Sequence, residues 1–213
     1  TYDSNSATSG NVPSPQTSDY NSAVSVASNS GTLIRPGYTF QRWNTQADGG
    51  GIDYAATGSA PITLGASDVT LYAVWSANTN TVTFNSQGGS AVASQSWTTA
   101  TSLPLPAAPT RAGYTFLGWF DTTTSGTKLG DASTSYTPSN TDSFTLYAQW
   151  LANTLSIIYD ANSGTTPSGG SASTTTGSTI SSLPTTSRPG YTFQGWFTAT
   201  TGGTQITTSA AHN

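Results

Sequence analysis

Cysteine, methionine and glutamate do not occur in this chain of 213 residues, and histidine and lysine occur once each, as His212 and Lys128. Without cysteine the chain has no disulfide, no thiolate zinc site and no cysteine nucleophile. The single histidine lies near the end of the sequence, which leaves no centre for histidine-based acid–base or triad chemistry. A pair of aspartates could still serve a glycosidase, but most of the aspartates lie in turns rich in Ser, Thr and Gly. The inventory therefore predicts a protein without enzymatic activity and without a cofactor.

Charged side chains are also scarce. They make up only 7% of the residues, against about 25% in an ordinary soluble domain. The net charge of -4 argues against nucleic acid as a partner, because nucleic-acid binding needs clustered Lys and Arg. No apolar run approaches the roughly 20 residues that span a bilayer, so we expect no membrane insertion in this segment.

The high content of Ser, Thr and Gly is also typical of disordered chains, but six Trp, ten Tyr and seven Phe that recur at fixed places favour folded cores.

The sequence repeats itself with a period near 75 residues. The arginine that opens the string RPGYTFQRW stands at positions 35, 111 and 188 of related strings, at intervals of 76 and 77 residues. Two further strings return after 75 residues: LYAVW at 71–75 with LYAQW at 146–150, and TVTFNS at 81–86 with SIIYDA at 156–161. A fixed period of this kind indicates tandem modules. We place three modules at residues 1–77, 78–152 and 153–213.

The third module is incomplete by this comparison, because residues 153–213 contain no counterpart of the LYAQW string. We expect the chain to be an ordered segment of a longer polypeptide. The alternative is that a neighbouring chain supplies the missing strand by strand addition. Since the joints between modules are only a few residues long, we expect neighbouring modules of the same or identical chains to be partners.

Each module is predicted to contain four short strands. The second of these is the least regular, and we place it at residues 24–26, 92–97 and 179–180 of the three modules. In the third, signature strand, a Gly after Pro36 or Pro189 predicts a type II turn, because the second central residue of that turn needs a positive φ. Simple alternation then puts Tyr114 and Phe116 on one face and Leu117 and Trp119 on the other. Gly118 and Gly195 are expected to let a neighbouring ring lie against bare backbone.

The three strings closely resemble the Listeria–Bacteroides repeat family, the internalin B-repeat-like modules of bacterial surface proteins. The second module matches the whole family pattern, with its opening strand at residues 82–89, its signature at 113–119 and its closing strand at 146–150. The resemblance implies a β-grasp-like module, and so a strongly strand-dominated α+β class with little or no helix. It also implies an extracellular or cell-surface location and a role as stalk, spacer or filament-forming segment. The alternative is an adhesin module that binds a glycan or a surface protein.

Four residues are candidates for contact with a ligand or partner. Arg35, Arg111 and Arg188 occupy one repeated position, where they either form a binding row or pack on a neighbouring ring. Trp97 has no counterpart in the other modules, so we expect it to be an exposed aromatic. The segment from Asp160 to Gly164 has oxygen ligands at alternate positions, as calcium loops do, but we interpret it as a turn and predict no metal site.

Overall fold

The structure, a computed structural model, describes residues 1–55, 61–139 and 141–212. All regular elements of these residues are β-strands, and no α-helix occurs among them. No helix there is long and apolar enough to cross a membrane. The prediction of a strand-dominated chain with little or no helix is confirmed. The α+β class, the β-grasp topology and the module boundaries stay predictions.

The first module has a four-stranded sheet and a separate two-stranded ribbon. Its strands are β1 (Tyr2–Asp3), β2 (Ala23–Ser25), β3 (Tyr38–Asn44), β4 (Asp53–Ala55), β5 (Pro61–Thr63) and β6 (Leu71–Ala77). In the sheet the order is β1-β6-β3-β4, with β6 parallel to β1 and antiparallel to β3. The closing strand β6 therefore lies between the opening strand and the signature strand. The ribbon is the antiparallel pair of β2 and β5.

The second module repeats this plan with longer opening and closing strands. They are β7 (Thr79–Asn85), β8 (Gln95–Thr98), β9 (Leu103–Pro104), β10 (Tyr114–Phe120), β11 (Lys128–Gly130), β12 (Ser135–Tyr136) and β13 (Phe144–Ala152). The sheet order is β11-β10-β13-β7-β8, and β9 pairs with β12 in the ribbon. The signature strand β10 lies inside the sheet, between β11 and β13.

The third module has the antiparallel strands β14 (Thr154–Ile158) and β15 (Ser171–Thr175). The prediction of its second strand at residues 179–180 is wrong, because the strand that pairs with the opening strand is β15. Thr179 instead forms an isolated bridge to Ala211, at the place of the ribbon in the other modules. The prediction at residues 24–26 made the same error, since β2 belongs to the ribbon of the first module. Ser, Thr and Ala in β15 give no apolar alternation that would have identified it.

A β-bulge in the signature strand overturns the predicted alternation of its side chains. The register against β13 shifts between Phe116 and Gly118, so the intervening Leu117 adds one residue to the strand. Phe116 and Trp119 therefore reach the same face, where their ring centroids are 5.5 Å apart. Leu117 is exposed. The first module has the same register shift between Phe40 and Arg42.

The core of each module is built around the tryptophan of its signature strand. An aromatic residue at the opening strand packs against this indole, with ring centroids 4.9 Å apart for Tyr2–Trp43, 5.0 Å for Phe84–Trp119 and 4.8 Å for Tyr159–Trp196. All three tryptophans are buried. Aromatic pairs of this kind contribute about 0.5–1.5 kcal/mol beyond the area they bury.

The glycine in the bulge does not face a ring, so that expectation is wrong. A Cβ added to Gly118 would lie 2.5 Å from Lys128 Cε, and one added to Gly195 would lie 2.5 Å from Gln205 Nε2. Both glycines have a positive φ, of 133° and 125°, which side chains disfavour. In the first module Arg42 takes this place and pairs with a carboxylate of the neighbouring strand, Asp53, at 2.6 Å.

The chain divides into two compact units. The first consists of Thr1–Thr83, Ser94–Pro104 and Ser135–Thr145, and the second of Phe84–Ala93, Leu105–Thr134 and Leu146–Asn213. The joint between the first two modules lies within the first unit. The joint between the second and third modules lies within the second unit.

Candidate functional site: the arginine turns and the module joints

The repeated arginines open tight turns that lead into the signature strands. In each turn the tyrosine N–H donates to the arginine C=O, at 3.0 Å for Tyr38 and Arg35, 3.1 Å for Tyr114 and Arg111, and 3.0 Å for Tyr191 and Arg188. The glycine before each tyrosine has φ between 77° and 79°. The predicted turns with glycine at a positive φ are confirmed.

All three arginines stack on the tyrosine of their own turn. The distance from the guanidinium carbon to the ring centroid is 4.0 Å for Arg35, 3.9 Å for Arg111 and 4.1 Å for Arg188. Arg111 also faces the closing tryptophan, Trp150, at 6.0 Å. The two ion pairs among the described residues involve other cations, Arg42 and Lys128. Packing of the arginine on a neighbouring ring, one of the two interpretations of the repeated position, is therefore present at every repeat. The other interpretation, a binding row, stays untested.

Trp97 is buried, so the expectation of an exposed aromatic is wrong. Only 3% of the residue is accessible. Its ring packs edge-on against Phe144 with centroids 5.8 Å apart, and its indole N–H donates to the Thr101 C=O at 2.9 Å. The second module has enlarged its core at this position, and the ring offers little surface on which a glycan could stack.

The segment that begins at Asp160 forms the expected turn. The Asn162 N–H donates to Asp160 Oδ1 at 2.9 Å, and the Gly164 N–H donates to the Ala161 C=O, also at 2.9 Å. The carboxylate thus caps its own backbone, as Asx turns do. The described residues contain no group of three or more His, Cys, Asp or Glu that could hold a metal ion.

The joint between the first two modules is a set of neutral contacts that the sequence comparison missed. A single residue, Asn78, separates β6 from β7. Its N–H donates to the Gly37 C=O at 2.8 Å, its C=O accepts the Thr99 N–H at 2.9 Å, and its Oδ1 accepts the Thr39 hydroxyl at 2.7 Å. Thr99, of which 7% is accessible, lies directly over the turn glycine. A Cβ added to Gly37 would lie 2.6 Å from Thr99 Cγ2.

The joint between the second and third modules has the same construction. Asn153 stands alone between β13 and β14, donates to the Gly113 C=O at 2.9 Å, accepts the Thr176 N–H at 2.9 Å and accepts the Thr115 hydroxyl at 2.7 Å. Thr176 is 4% accessible, and its methyl group is the first atom that a Cβ on Gly113 would meet. Around Gly190, at the third repeat of this position, an added Cβ has no atom within 4 Å.

A shifted pKa, that of the Asp53 carboxyl, lies outside both features. Hydrogen bonds from Arg42 and then from Asn44 lower the pKa of Asp53 below the usual aspartate range, and the positive charge of Arg42 acts in the same direction. These contacts join the signature strand β3 to β4. The arrangement stabilises the pairing of these two strands.

Comparison with known proteins gives the same repeat. The model of the Listeria-Bacteroides repeat domain matches residues 1–74, 81–149 and 156–213. A protein of Evansella cellulosilytica, described as a Gly-rich membrane protein, is 34% identical over 92% of this chain and 22% of its own length. Internalin H of Listeria monocytogenes is 39% identical over 47% of this chain and 17% of its own length. The chain thus spans about a fifth of these relatives. Three consecutive matches cover most of its residues, and the chain belongs to the Listeria-Bacteroides repeat family.

Proposed function

We propose that this chain is a non-catalytic structural segment of a bacterial cell-envelope protein, in which tandem modules act as an extracellular stalk or spacer. The observation that carries the proposal is the repeated joint. Asn78 and Asn153 fix the same three hydrogen bonds at two successive module boundaries. A joint of one residue with one buried threonine packed beside it restricts the swing between neighbours, whereas long Gly/Ser linkers permit it.

The location is supported by the relatives. Two proteins of Evansella cellulosilytica that match 92% and 62% of the chain are described as membrane proteins. The chain matches only about a fifth of the length of either protein. A repeat segment outside the membrane therefore fits the descriptions of these relatives, and it fits the lack of a membrane-spanning helix in the described residues of this chain.

The adhesin alternative has weaker support in the structure. Of its four candidate contact residues, Trp97 is buried and the three repeated arginines lie on their own tyrosine rings. A ligand that used the arginines would have to compete with a cation–π contact of about 0.5–1 kcal/mol at an exposed site.

Single-molecule stretching combined with a binding screen tests the proposal. Stretched between its ends, the chain should unfold in discrete steps, each releasing up to about 25 nm for a module of this length. The glycan and protein screen should give no saturable ligand. A saturable ligand whose binding is lost in Arg111→Ala, but not in the control Lys128→Ala, would favour the adhesin function instead.

A further inference from the structure

A free strand edge recurs at the same place in the second and third modules. Among the described residues no strand lies beyond β8 in its sheet, although one module precedes and another follows it along the chain, and β15 is paired with β14 on one side only. The threonine of a joint, Thr99 or Thr176, directly follows each of the two strands. The sequences SQSWTT at 94–99 and SASTTT at 171–176 also share the pattern Ser-x-Ser-x-Thr-Thr. The edge is therefore a repeated feature of the module.

The main-chain groups of Ser96 point away from the sheet at the edge of β8. In the antiparallel ladder with β7, the Thr99 N–H donates to the Asn78 C=O at 2.9 Å. Residues that bond across such a ladder alternate with residues whose N–H and C=O face outward, so Ser96 and Thr98 face outward. The C=O of Thr98 already accepts the Thr101 N–H at 3.1 Å. The edge thus offers a donor and an acceptor at Ser96 and a donor at Thr98.

The edge of β15 offers the same groups. Here the Thr176 N–H donates to the Asn153 C=O at 2.9 Å, and the same alternation places Ser173 and Thr175 outward. The C=O of Thr175 accepts the Ser178 N–H at 2.9 Å, as the C=O of the corresponding threonine in β8 accepts an N–H of its own turn. We call Ser96 and Ser173 the central serines of the two edges.

Neither edge has the features that keep a free strand from pairing with another chain. Lysine, proline and β-bulges protect many natural sheet edges. The opposite edge of the second module's sheet has two of them, because β11 begins with Lys128 and its register against β10 shifts between Trp119 and Phe120. In contrast, residues 94–99 and 171–176 include no charged residue and no proline. Two copies of such an edge can meet without like charges opposite each other.

We propose that the edges of β8 and β15 are sites at which a second copy of this chain pairs, strand to strand and antiparallel. With the central serines of two copies opposite each other, each serine donates its N–H to the other's C=O, so both free groups are satisfied at once. The N–H of the threonine two residues later then faces the C=O of the serine two residues before the partner's central serine. This self-complementary register is why we infer a second copy as the partner.

The side chains fit the same register. The central serines are exposed, and so are the serines two residues before them, at positions 94 and 171. In the pairing their hydroxyl groups lie opposite serine and threonine hydroxyls of the other copy, and such cross-strand pairs stabilise sheets. Since one chain has two such edges, association can continue beyond a pair of copies. The proposal goes beyond the stalk function and does not depend on it.

The test exchanges both central serines for charges in the full chain. Sedimentation over a range of protein concentrations is expected to show reversible association of the unmodified chain. A variant with Ser96→Lys and Ser173→Lys places like charges directly opposite each other, and so does a variant with Ser96→Asp and Ser173→Asp, so each should associate more weakly. An equimolar mixture of the two variants brings opposite charges together, and it should associate about tenfold more tightly than either variant alone.

A matched control separates the edge from the change in net charge. It places the same lysines or aspartates at Ser30 and Thr124, which are exposed and lie outside the strands. The control variants should associate as the unmodified chain does, and mixing them should give no gain. If they lose association to the same extent as the edge variants, or if the mixture of edge variants is no tighter than its components, the proposal is overturned.

Amide exchange on the unmodified chain, followed by NMR, gives a readout that does not depend on any variant. Raising the protein concentration should slow exchange at the amides of Ser96 and Ser173. The amides of Trp97 and Thr174 occupy hydrogen-bonded places within their own sheets, so their exchange should not change. A chain that stays monomeric at every concentration, or one whose added protection lies at β11 in place of the central serines, would contradict the proposal.

Discussion

The packing of a threonine against the turn glycine of a joint allows a quantitative prediction, because the chain also contains a turn glycine without such packing, which serves as a matched control. Gly113 and Gly190 occupy the same place in the repeat, with φ of 77° and 79°. They differ in surroundings: a Cβ on Gly113 would collide with Thr176, and a Cβ on Gly190 would meet nothing within 4 Å. Alanine at either position carries the same backbone cost, about 1–2 kcal/mol for a left-handed conformation. Only Gly113→Ala adds the cost of overpacking a buried contact, about 1–3 kcal/mol.

Gly113→Ala is therefore expected to destabilise its surroundings by about 1–3 kcal/mol more than Gly190→Ala does. A chain of several modules does not unfold as a two-state system, so the free energies should come from native-state hydrogen exchange of the amides in β14 and β15. The exchange rates of these strands should rise strongly in Gly113→Ala. The amide of Thr176, which donates to Asn153, reports the joint directly.

A double-mutant cycle separates the joint contact from other effects. Thr176→Ala removes the methyl and hydroxyl groups that the new Cβ would meet, so it should recover part of the loss in Gly113→Ala and none of the loss in Gly190→Ala. If the two glycine variants are equally destabilised, or if Thr176→Ala gives no recovery, then the threonine does not pack on the turn as described and the argument for a fixed joint fails.

Three further predictions concern individual side chains. Because the fold lowers the pKa of Asp53, its pairing with Arg42 stabilises the protein at pH values above the ordinary aspartate pKa, and this stabilisation disappears as the pH falls through the lowered pKa. An NMR titration of the Asp53 carboxyl should show the lowered pKa, and Arg42→Gly should raise it. Trp97→Ala should cost about 3–5 kcal/mol as a buried aromatic truncation, measured by native-state hydrogen exchange of the amides in β7 and β8, whereas a change within about 0.5 kcal/mol would mean that the ring is on the surface. Arg111→Met, which removes the guanidinium that lies over the Tyr114 ring but keeps an unbranched side chain, should cost about 0.5–1 kcal/mol in native-state hydrogen exchange of the amides in β10; a stabilised variant would show that the stacking is not favourable.

The sequence was sufficient to predict the elements that repeat with the same residues. The signature and closing strands of the first two modules and the turn at Gly37 stand where the strings place them, because the turn needs glycine at a positive φ and the strands are rich in β-favouring aromatic residues. These features depend on local residue types and on periodicity, which self-comparison reads directly. The predicted signature strand of the third module is not formed, and residues 191–197 take part only in isolated bridges.

The features that were missed depend on contacts between distant residues. The bulge at Leu117 leaves no mark in the alternation of residue types, yet it changes which face carries Trp119. Trp97 was expected to be exposed because the other modules have no such residue, but a core can enlarge wherever space exists, here against Phe144. Thr99 and Thr176 could not be distinguished among so many threonines until their place over the turn glycines was known.

The turn glycine of the first joint meets three structural requirements in one residue. Gly37 needs a positive φ to lead the chain into the signature strand, its C=O accepts the N–H of Asn78, and its bare Cα admits the side chain of Thr99. The first requirement belongs to the module alone, and the other two exist only where the next module follows. A residue selected for the turn therefore also serves the joint. Since Gly37, Asn78 and Thr99 are all uncharged, salt screening does not weaken this joint as it would weaken an ion pair. The scarcity of charge in the sequence is thus compatible with fixed joints whose geometry does not depend on ionic strength.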